Sequence, residues 1–259
     1  MLSVLAAIGI MSAINEEAHL ILESIQNKES VKIGCKEFVT GTFEETPVVF
    51  AFAGVGKVSA AATATLMISR FSVESIVFTG VAGGGSDTQI GDIVIGNAYL
   101  QHDLDLRPIF SQFHILSLNK QVLKADEKMC ERMTTAAKRY LAKGVAFPEL
   151  GILHPKVHEG TIVSGDQFIF NPAHHAAIDE NVRTVLPDGF HAIEMEGEAV
   201  AQVCNELNIP FVVFRAISDK ADDAAPVNFL TFINHVASQY SFDILKEYIT
   251  LRKTEVLQD

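Results

Sequence analysis

Positive charge is scarce in this chain. Among 259 residues, 20 Lys and Arg stand against 32 Asp and Glu, a formal net charge of −12, and no Lys or Arg precedes Lys28. A surface this acidic repels a polyphosphate backbone, which argues against nucleic-acid binding and leaves small neutral or cationic ligands. Cysteine is sparse too: Cys35, Cys130 and Cys204 are odd in number, widely spaced and without a CxxC pair. That pattern fits reduced, mostly buried thiols in a cytoplasmic protein, not a disulfide framework or a structural zinc site. The apolar residues 1–14 have no basic residue ahead of them and run directly into Asn15-Glu16-Glu17, where a leader's cleavage site would want small residues. They are also too few to span a bilayer as a helix. A buried first strand is expected, and no membrane partner. No Ser/Gly/Pro linker, repeat or low-complexity block interrupts the chain, so one domain over 1–259 is expected.

What is present is a globular composition, 48% apolar and 20% charged. Apolar runs bounded by turn residues predict strands over 4–11, 31–42, 47–53, 74–79, 92–99, 161–163 and 211–217, with a turn at Glu44-Glu45-Thr46. Helices are predicted over 16–25, 57–71, 121–141, 199–207 and 230–249. Continuous apolar strands alternating with helices imply an α/β fold with its sheet covered on both faces. Ligands of such sheets gather beyond the carboxyl ends of the strands. The irregular stretch 101–120 is expected to be a long functional loop.

Polar residues sit where those strands end. Asn15-Glu16-Glu17 follows the first strand, and the glycine-rich residues 80–85 follow 74–79. Glu194-Met195-Glu196-Gly197-Glu198 follows Ala192-Ile193, and Ser164-Gly165-Asp166-Gln167-Phe168-Ile169 follows Ile162-Val163. Arg215-Ala216-Ile217-Ser218-Asp219 closes the last strand. Each has a structural reading by itself. Glu16 and Glu17 are acids favoured in a helix first turn, the glycines a chain reversal, Asp219 a cap. Gly54-Val55-Gly56-Lys57 falls short of a phosphate loop because Val58 stands where Ser or Thr is needed. The glutamates at 194, 196 and 198 are harder to dismiss, because carboxylates between apolar segments need partners. Carboxylates at three ends of one sheet point to a shared site. His174-His175 and the His102, Asp103, Asp105 group lack metal-ligand spacing and are expected on the surface or in loops. No Gly-x-Ser-x-Gly elbow or cysteine nucleophile motif appears.

Together these elements resemble the nucleosidase branch of the purine nucleoside phosphorylase-like superfamily, and within it the methylthioadenosine/S-adenosylhomocysteine nucleosidase family. The resemblance is carried, in order, by Ala13-Ile14-Asn15-Glu16-Glu17, Gly54-Val55-Gly56-Lys57-Val58, Thr79-Gly80-Val81-Ala82-Gly83-Gly84, Val163 to Ile169, Glu194-Met195-Glu196 and Arg215 to Asp219. It implies a three-layer α/β/α fold with a mixed central sheet, in a homodimer. It implies Asp219 as general acid at adenine N7, Glu196 on the ribose hydroxyls, and Glu17 binding and activating the attacking water with support from Arg215. Ser218 would orient Asp219, Phe168 would stack on the adenine, and backbone groups of Ile169 would read its edge. Met195 would lie under the ribose, and Val55 and Phe229 would line the pocket for the 5′ substituent. No metal or organic cofactor is implied. Val81 stands where some members carry Ser, and Ile14 where the family has Met. Extra residues fall around 104–118 and 142–158, the first altering the Leu106 and Ile109 region that in the family reaches the partner's pocket.

The chemistry suits these residue types. Breaking an N-glycosidic bond leaves a cationic sugar and an anionic purine. An acid at N7 makes the purine a neutral leaving group, a carboxylate by the sugar steadies its charge, and a third can activate water. The early loop and the turn 80–88 have no Lys or Arg to grip phosphate beside Glu17, so hydrolysis is expected over phosphorolysis. Adenine-releasing hydrolysis of an adenine thio-nucleoside is therefore expected. Aminodeoxyfutalosine, with the same adenine and ribose, is the alternative substrate. A catalytically idle nucleoside-binding protein is the alternative class.

Overall fold

The computed structural model describes residues 7–85 and 87–256. In chain order its strands are β1 (Ile8–Ser12), β2 (Gln26–Ile33), β3 (Lys36–Phe43), β4 (Thr46–Phe52), β5 (Ser75–Gly84), β6 (Ile93–Gln101), β7 (Leu123–Lys124), β8 (Val157–Ser164), β9 (Ala192–Glu194) and β10 (Phe211–Asp219). The helices are α1 (Asn15–Ser24), α2 (Lys57–Phe71), α3 (Glu127–Leu141), α4 (Pro172–Val182), α5 (Gly197–Leu207), α6 (Ala225–Phe232) and α7 (Ser238–Val256).

All ten strands join one mixed sheet in the order β10-β6-β8-β9-β5-β1-β4-β3-β2, with β7 on β6. A further parallel pairing of β10 with β5 closes β5, β10, β6, β8 and β9 into a ring. The period-2 alternation of a strand divides the core in two. Ile10, Val77 and Phe214 face a cluster with Ile21 of α1, Met133 of α3 and Ile244 of α7. Their sequence neighbours Met11, Phe78 and Val213 face Ala60 and Met67 of α2 and Val200 and Cys204 of α5. The result is the expected α/β/α sandwich.

Several elements differ from expectation. The predicted strand 31–42 is two strands, because Gly34 at φ +63° turns the chain at Gly34-Cys35. β2 begins earlier, at Gln26, and is an exposed edge strand whose polar residues hid it. The expected turn over residues 80–85 is mostly strand, since β5 continues to Gly84 between β10 and β9. The helix expected from 121 starts at Glu127, where the Asp126 side chain accepts from Met129 N, and Leu123–Lys124 pairs with β6 instead. The helix expected over 230–249 is α6 and α7 joined by a π turn at Ile233–Ala237. The start of the first predicted strand, residues 4–6, lies outside the described residues. Cys130 and Cys204 are buried free thiols, whereas Cys35 is exposed.

Candidate active site

The ends of β1, β5, β9 and β10 converge on a cavity of about 330 Å³. It draws side chains from each of these strands: Ile14 and Glu17 after β1, Val81 in β5, Met195 and Glu196 after β9, Ser218 and Asp219 in β10. Val55 after β4, Phe168 after β8 and Phe229 of α6 complete the wall among the expected residues. Phe168 and Phe229 meet edge to face with centroids 5.5 Å apart. Ile169 lines a small recess next door, shared with Phe168, Met195 and Asp219. Every expected side chain is thus at the cavity or its margin except Arg215, which lies beneath it.

Glu17 is fixed in place by four hydrogen bonds. Its Oε2 accepts from Ser12 Oγ at 2.8 Å, Ala13 N at 3.0 Å and Ile14 N at 3.2 Å, and its Oε1 accepts from Val81 N at 3.0 Å. The free N–H groups at the start of α1 therefore close on a carboxylate in the first turn, as a capping acid does.

Arg215 is buried and directed mainly at Glu194, not at Glu17. Nη2 and Nε donate to Glu194 Oε2 at 2.5 and 3.2 Å, and Nη2 lies 3.8 Å from Glu196 Oε2. Its guanidinium stands 4.2 Å over the Phe78 ring. Nη1 approaches Glu17 across Gly80: a Cβ at that glycine would lie 2.8 Å from both Nη1 and Glu17 Oε1. Only a residue without a side chain lets the two groups converge there.

Glu194 received no role from sequence, yet it organises the acids. Besides Arg215 it accepts from Ser164 Oγ, Glu196 N and Gly197 N. The signal that singled out Glu196, a carboxylate between apolar segments, applied to Glu194 equally; its partner, 21 residues on, was not legible. Glu196 Oε1 accepts from Gly56 N at 2.8 Å. Burial pushes the Glu196 carboxyl well above its ordinary range, the Glu194 charge adds to this, and Arg215 and the Gly56 N–H oppose it.

Burial likewise raises Asp219, against the hydrogen bonds from Ser218 and Ala221 N. Ser218 Oγ is 2.8 Å from Asp219 Oδ2 and 3.3 Å from the Ala82 carbonyl, while Ala221 N donates to Oδ1 at 2.8 Å. A hydroxyl has one proton to give. If Asp219 is protonated on Oδ2 it donates to Ser218 Oγ, and the hydroxyl proton turns to Ala82; all acceptors remain served. The pocket accommodates an acid at 219 without loss of a bond.

Other expectations moved. His102 is a partly buried residue of the turn just past β6, as expected, whereas His175 is half-buried on helix α4 with Nε2 3.1 Å from the Gly84 carbonyl, so it is not a simple surface or loop residue. Leu106 and Ile109 lie on the loop between β6 and β7, away from this chain's cavity, and Ile109 is 80% exposed. Residues 142–158 run from α3 to β8 and contribute nothing to the cavity wall.

Glu198 is a further acid that sequence left without a role. It is fully buried on α5, its oxygens without a hydrogen bond of good geometry and only a weak approach from Gln101. Burial pushes it up to about 8 from 4.5, Lys57 opposing. Between those two pH values the unfolded chain releases a proton that the fold retains, so stability falls as pH rises through this window. Replacing Glu198 by Gln removes the penalty. The variant should melt above wild type at pH 8.5 by about 3 °C or more, with the gap closing toward pH 5, in a calorimetric series. A gap that stays constant with pH would contradict a buried neutral acid.

This mixed-sheet α/β fold belongs to the phosphorylase superfamily, whose family model matches residues 7–250. The chain is 33% identical to the 5′-methylthioadenosine/S-adenosylhomocysteine nucleosidase of Anoxybacillus flavithermus, over 89% of this chain and 92% of that one. The nucleosidase of the same name from Neisseria meningitidis, solved with methylthio-immucillin-A, superposes with a TM-score of 0.82 at 30% identity, covering 95% of this chain and 99% of that chain. Futalosine hydrolase of Helicobacter pylori superposes with a TM-score of 0.81 at 29% identity, covering 95% and 98%. The chain belongs to the 5′-methylthioadenosine/S-adenosylhomocysteine nucleosidase family of the phosphorylase superfamily, and is an enzyme of the nucleosidase class. Among its described residues no helix is long and apolar enough to cross a membrane.

Proposed function

We propose that the protein hydrolyses the N-glycosidic bond of 5′-methylthioadenosine and S-adenosylhomocysteine and releases adenine. The observation that carries this reading is the meeting of Glu17, Glu196 and Asp219 in one cavity, from three distant parts of the chain. Asp219, raised by burial, holds the proton that a departing adenine takes at N7. Phe168 offers a ring face to the base. Glu196, fixed by Gly56 N, grips the ribose hydroxyls; should the bound sugar's developing positive charge draw off its proton, it is placed to steady that charge. Glu17 orients and deprotonates the attacking water. Arg215 acts from below, holding Glu194 and through it the Glu196 backbone. Val55, Ile14 and Phe229 give the 5′ substituent an apolar seat.

Water is favoured over phosphate on electrostatic grounds. Arg215, the cation beneath the cavity, is already engaged by Glu194 and faces Glu196 and Glu17 as well. A phosphate dianion beside Glu17 would meet net negative charge in a poorly solvated pocket. Adenine release should therefore proceed in phosphate-free buffer at the rate seen with phosphate added. The test is to incubate the protein with methylthioadenosine, S-adenosylhomocysteine and aminodeoxyfutalosine in parallel and follow adenine. Faster release from aminodeoxyfutalosine favours the second reading, which the likeness to futalosine hydrolase supports. No release from any of them points to an idle nucleoside binder, and a strict phosphate requirement to a phosphorylase. The same reading carries a homodimer in which the exposed loop with Leu106 and Ile109 completes the partner's cavity. The free thiols fit a reducing cytoplasm.

A further inference from the structure

Three strand ends beside the carboxylate cluster are tied to one another. Asp103, just past β6, accepts from the Lys57 ammonium (Oδ1, 2.5 Å) and from the backbone N–H of Asp166 (Oδ2, 3.0 Å). Asp166, just past β8, accepts from the backbone N–H of Lys57 (Oδ1, 2.8 Å). The bonds Asp103–Lys57, Lys57–Asp166 and Asp166–Asp103 close a ring. None of its members lines the cavity, but Lys57 and Asp166 each lie two residues from one that does, Val55 and Phe168. Lys57 follows Val55 and Gly56, and Gly56 N donates to Glu196. Asp166 comes two residues before Phe168. Gly56 sits at φ +95°, where a Cβ would stand 3.1 Å from Asp166 Oδ1. The two loops touch there, the Gly56-Lys57 backbone against the Asp166 carboxylate.

Lys57 is the cation of this corner. It faces Asp103 directly, donates to Gln101 Oε1 at 3.1 Å, and its charge reaches the buried Glu198 carboxyl. The ion pair with Asp103 is partly shielded from solvent, so salt screens it less than a fully exposed pair. Charge-assisted bonds of this kind fix geometry more firmly than neutral ones.

We propose that Asp103 is a positioning residue for substrate binding: by closing the ring with Lys57 and Asp166 it sets the Val55 and Phe168 loops as the two jaws of the cavity mouth. The proposal rests on the nucleosidase reading for its kinetic readout only. The ring acts on the loops that hold the nucleoside, including Gly56 N on the ribose-gripping Glu196, and leaves Asp219 and Glu17 in place. Loss of the ring should weaken binding and spare the chemical step.

Asp103→Asn keeps an acceptor for Asp166 N and loses the charge opposite Lys57; Lys57→Met removes the ammonium and keeps the backbone N–H. Each should raise KM for methylthioadenosine about tenfold with kcat within about threefold. The double variant should be no worse than either single, because both break one ring. A merely structural role would instead lower kcat through loss of folded enzyme and leave KM alone. Unchanged KM in the single variants, or effects that multiply in the double, would overturn the proposal. If the wild type releases no adenine from any nucleoside, the nucleosidase reading fails and the ring is still decided by hydrogen exchange. Amides of residues 54–58 and 165–169 should exchange faster in Asp103→Asn, and unaltered exchange there overturns it.

Discussion

Asp219→Asn should lower kcat by about 10³-fold and leave the Kd for an adenine nucleoside within a few-fold of wild type. The substitution is close to isosteric and the surroundings can serve it. Asn Oδ1 accepts from Ala221 N as the carboxyl does, and the amide NH2 donates to Ser218 Oγ, whose own proton then turns to the Ala82 carbonyl 3.3 Å away. No buried group is orphaned, so the fold and the cavity should survive. What is lost is a proton that can leave. An amide can donate a hydrogen bond to purine N7 but cannot protonate it, and the base must then depart with its negative charge. Binding and turnover should separate cleanly in a titration run beside a single-turnover assay. The same acid should show in the wild-type pH profile. Burial raises Asp219, so the active protonated form persists above the ordinary carboxyl range, and kcat/KM falls as pH climbs through the raised value. Near-normal turnover by Asp219→Asn would remove the general acid from the mechanism.

The site was more legible in the sequence than the fold's details, and for a physical reason. A sheet of buried strands has few places to put a charge, so Glu17, Glu196 and Asp219 stood out as polar residues directly after apolar runs. Their convergence follows from the sheet, since the ends of β1, β9 and β10 all adjoin β5. Less readable were features fixed by contacts distant in sequence. Residues 80–84 look like a turn because glycine favours turns, but pairing with β10 on one side and β9 on the other keeps them extended. Arg215 sits mid-strand among apolar residues, and nothing local says that its partner is Glu194. The β2–β3 edge is polar and exposed, so apolar patterning underrates it. α4 was within reach: Asn171 caps it through its side chain and Pro172 occupies its first position, a start signal that lay in the sequence unread.

Glu17→Gln should cost both catalysis and stability, and the two losses come from one arrangement. All four bonds to Glu17 are donated by protein groups, three to Oε2 and one to Oε1. A carboxylate only accepts, so it meets all four; an amide must point an NH2 at one set. The cheaper orientation keeps the carbonyl oxygen where Ser12, Ala13 and Ile14 converge and turns the NH2 toward Val81 N, leaving two donors facing each other in a buried site. That should lower Tm by roughly 3–8 °C, taking about 1–3 kcal/mol for the lost bond. The substitution also removes a negative charge that favours the buried Arg215 cation from across Gly80. Catalytically, the variant has no base for the attacking water, and kcat should fall about 10²–10³-fold. Occupancy by adenine should persist, since the proposed function seats the base on Phe168 and Asp219 and not on Glu17. Calorimetry of adenine binding to Glu17→Gln separates a dead but formed site from an unfolded one. Retained turnover with lowered Tm would make Glu17 a capping residue for α1, with water activated by some other group.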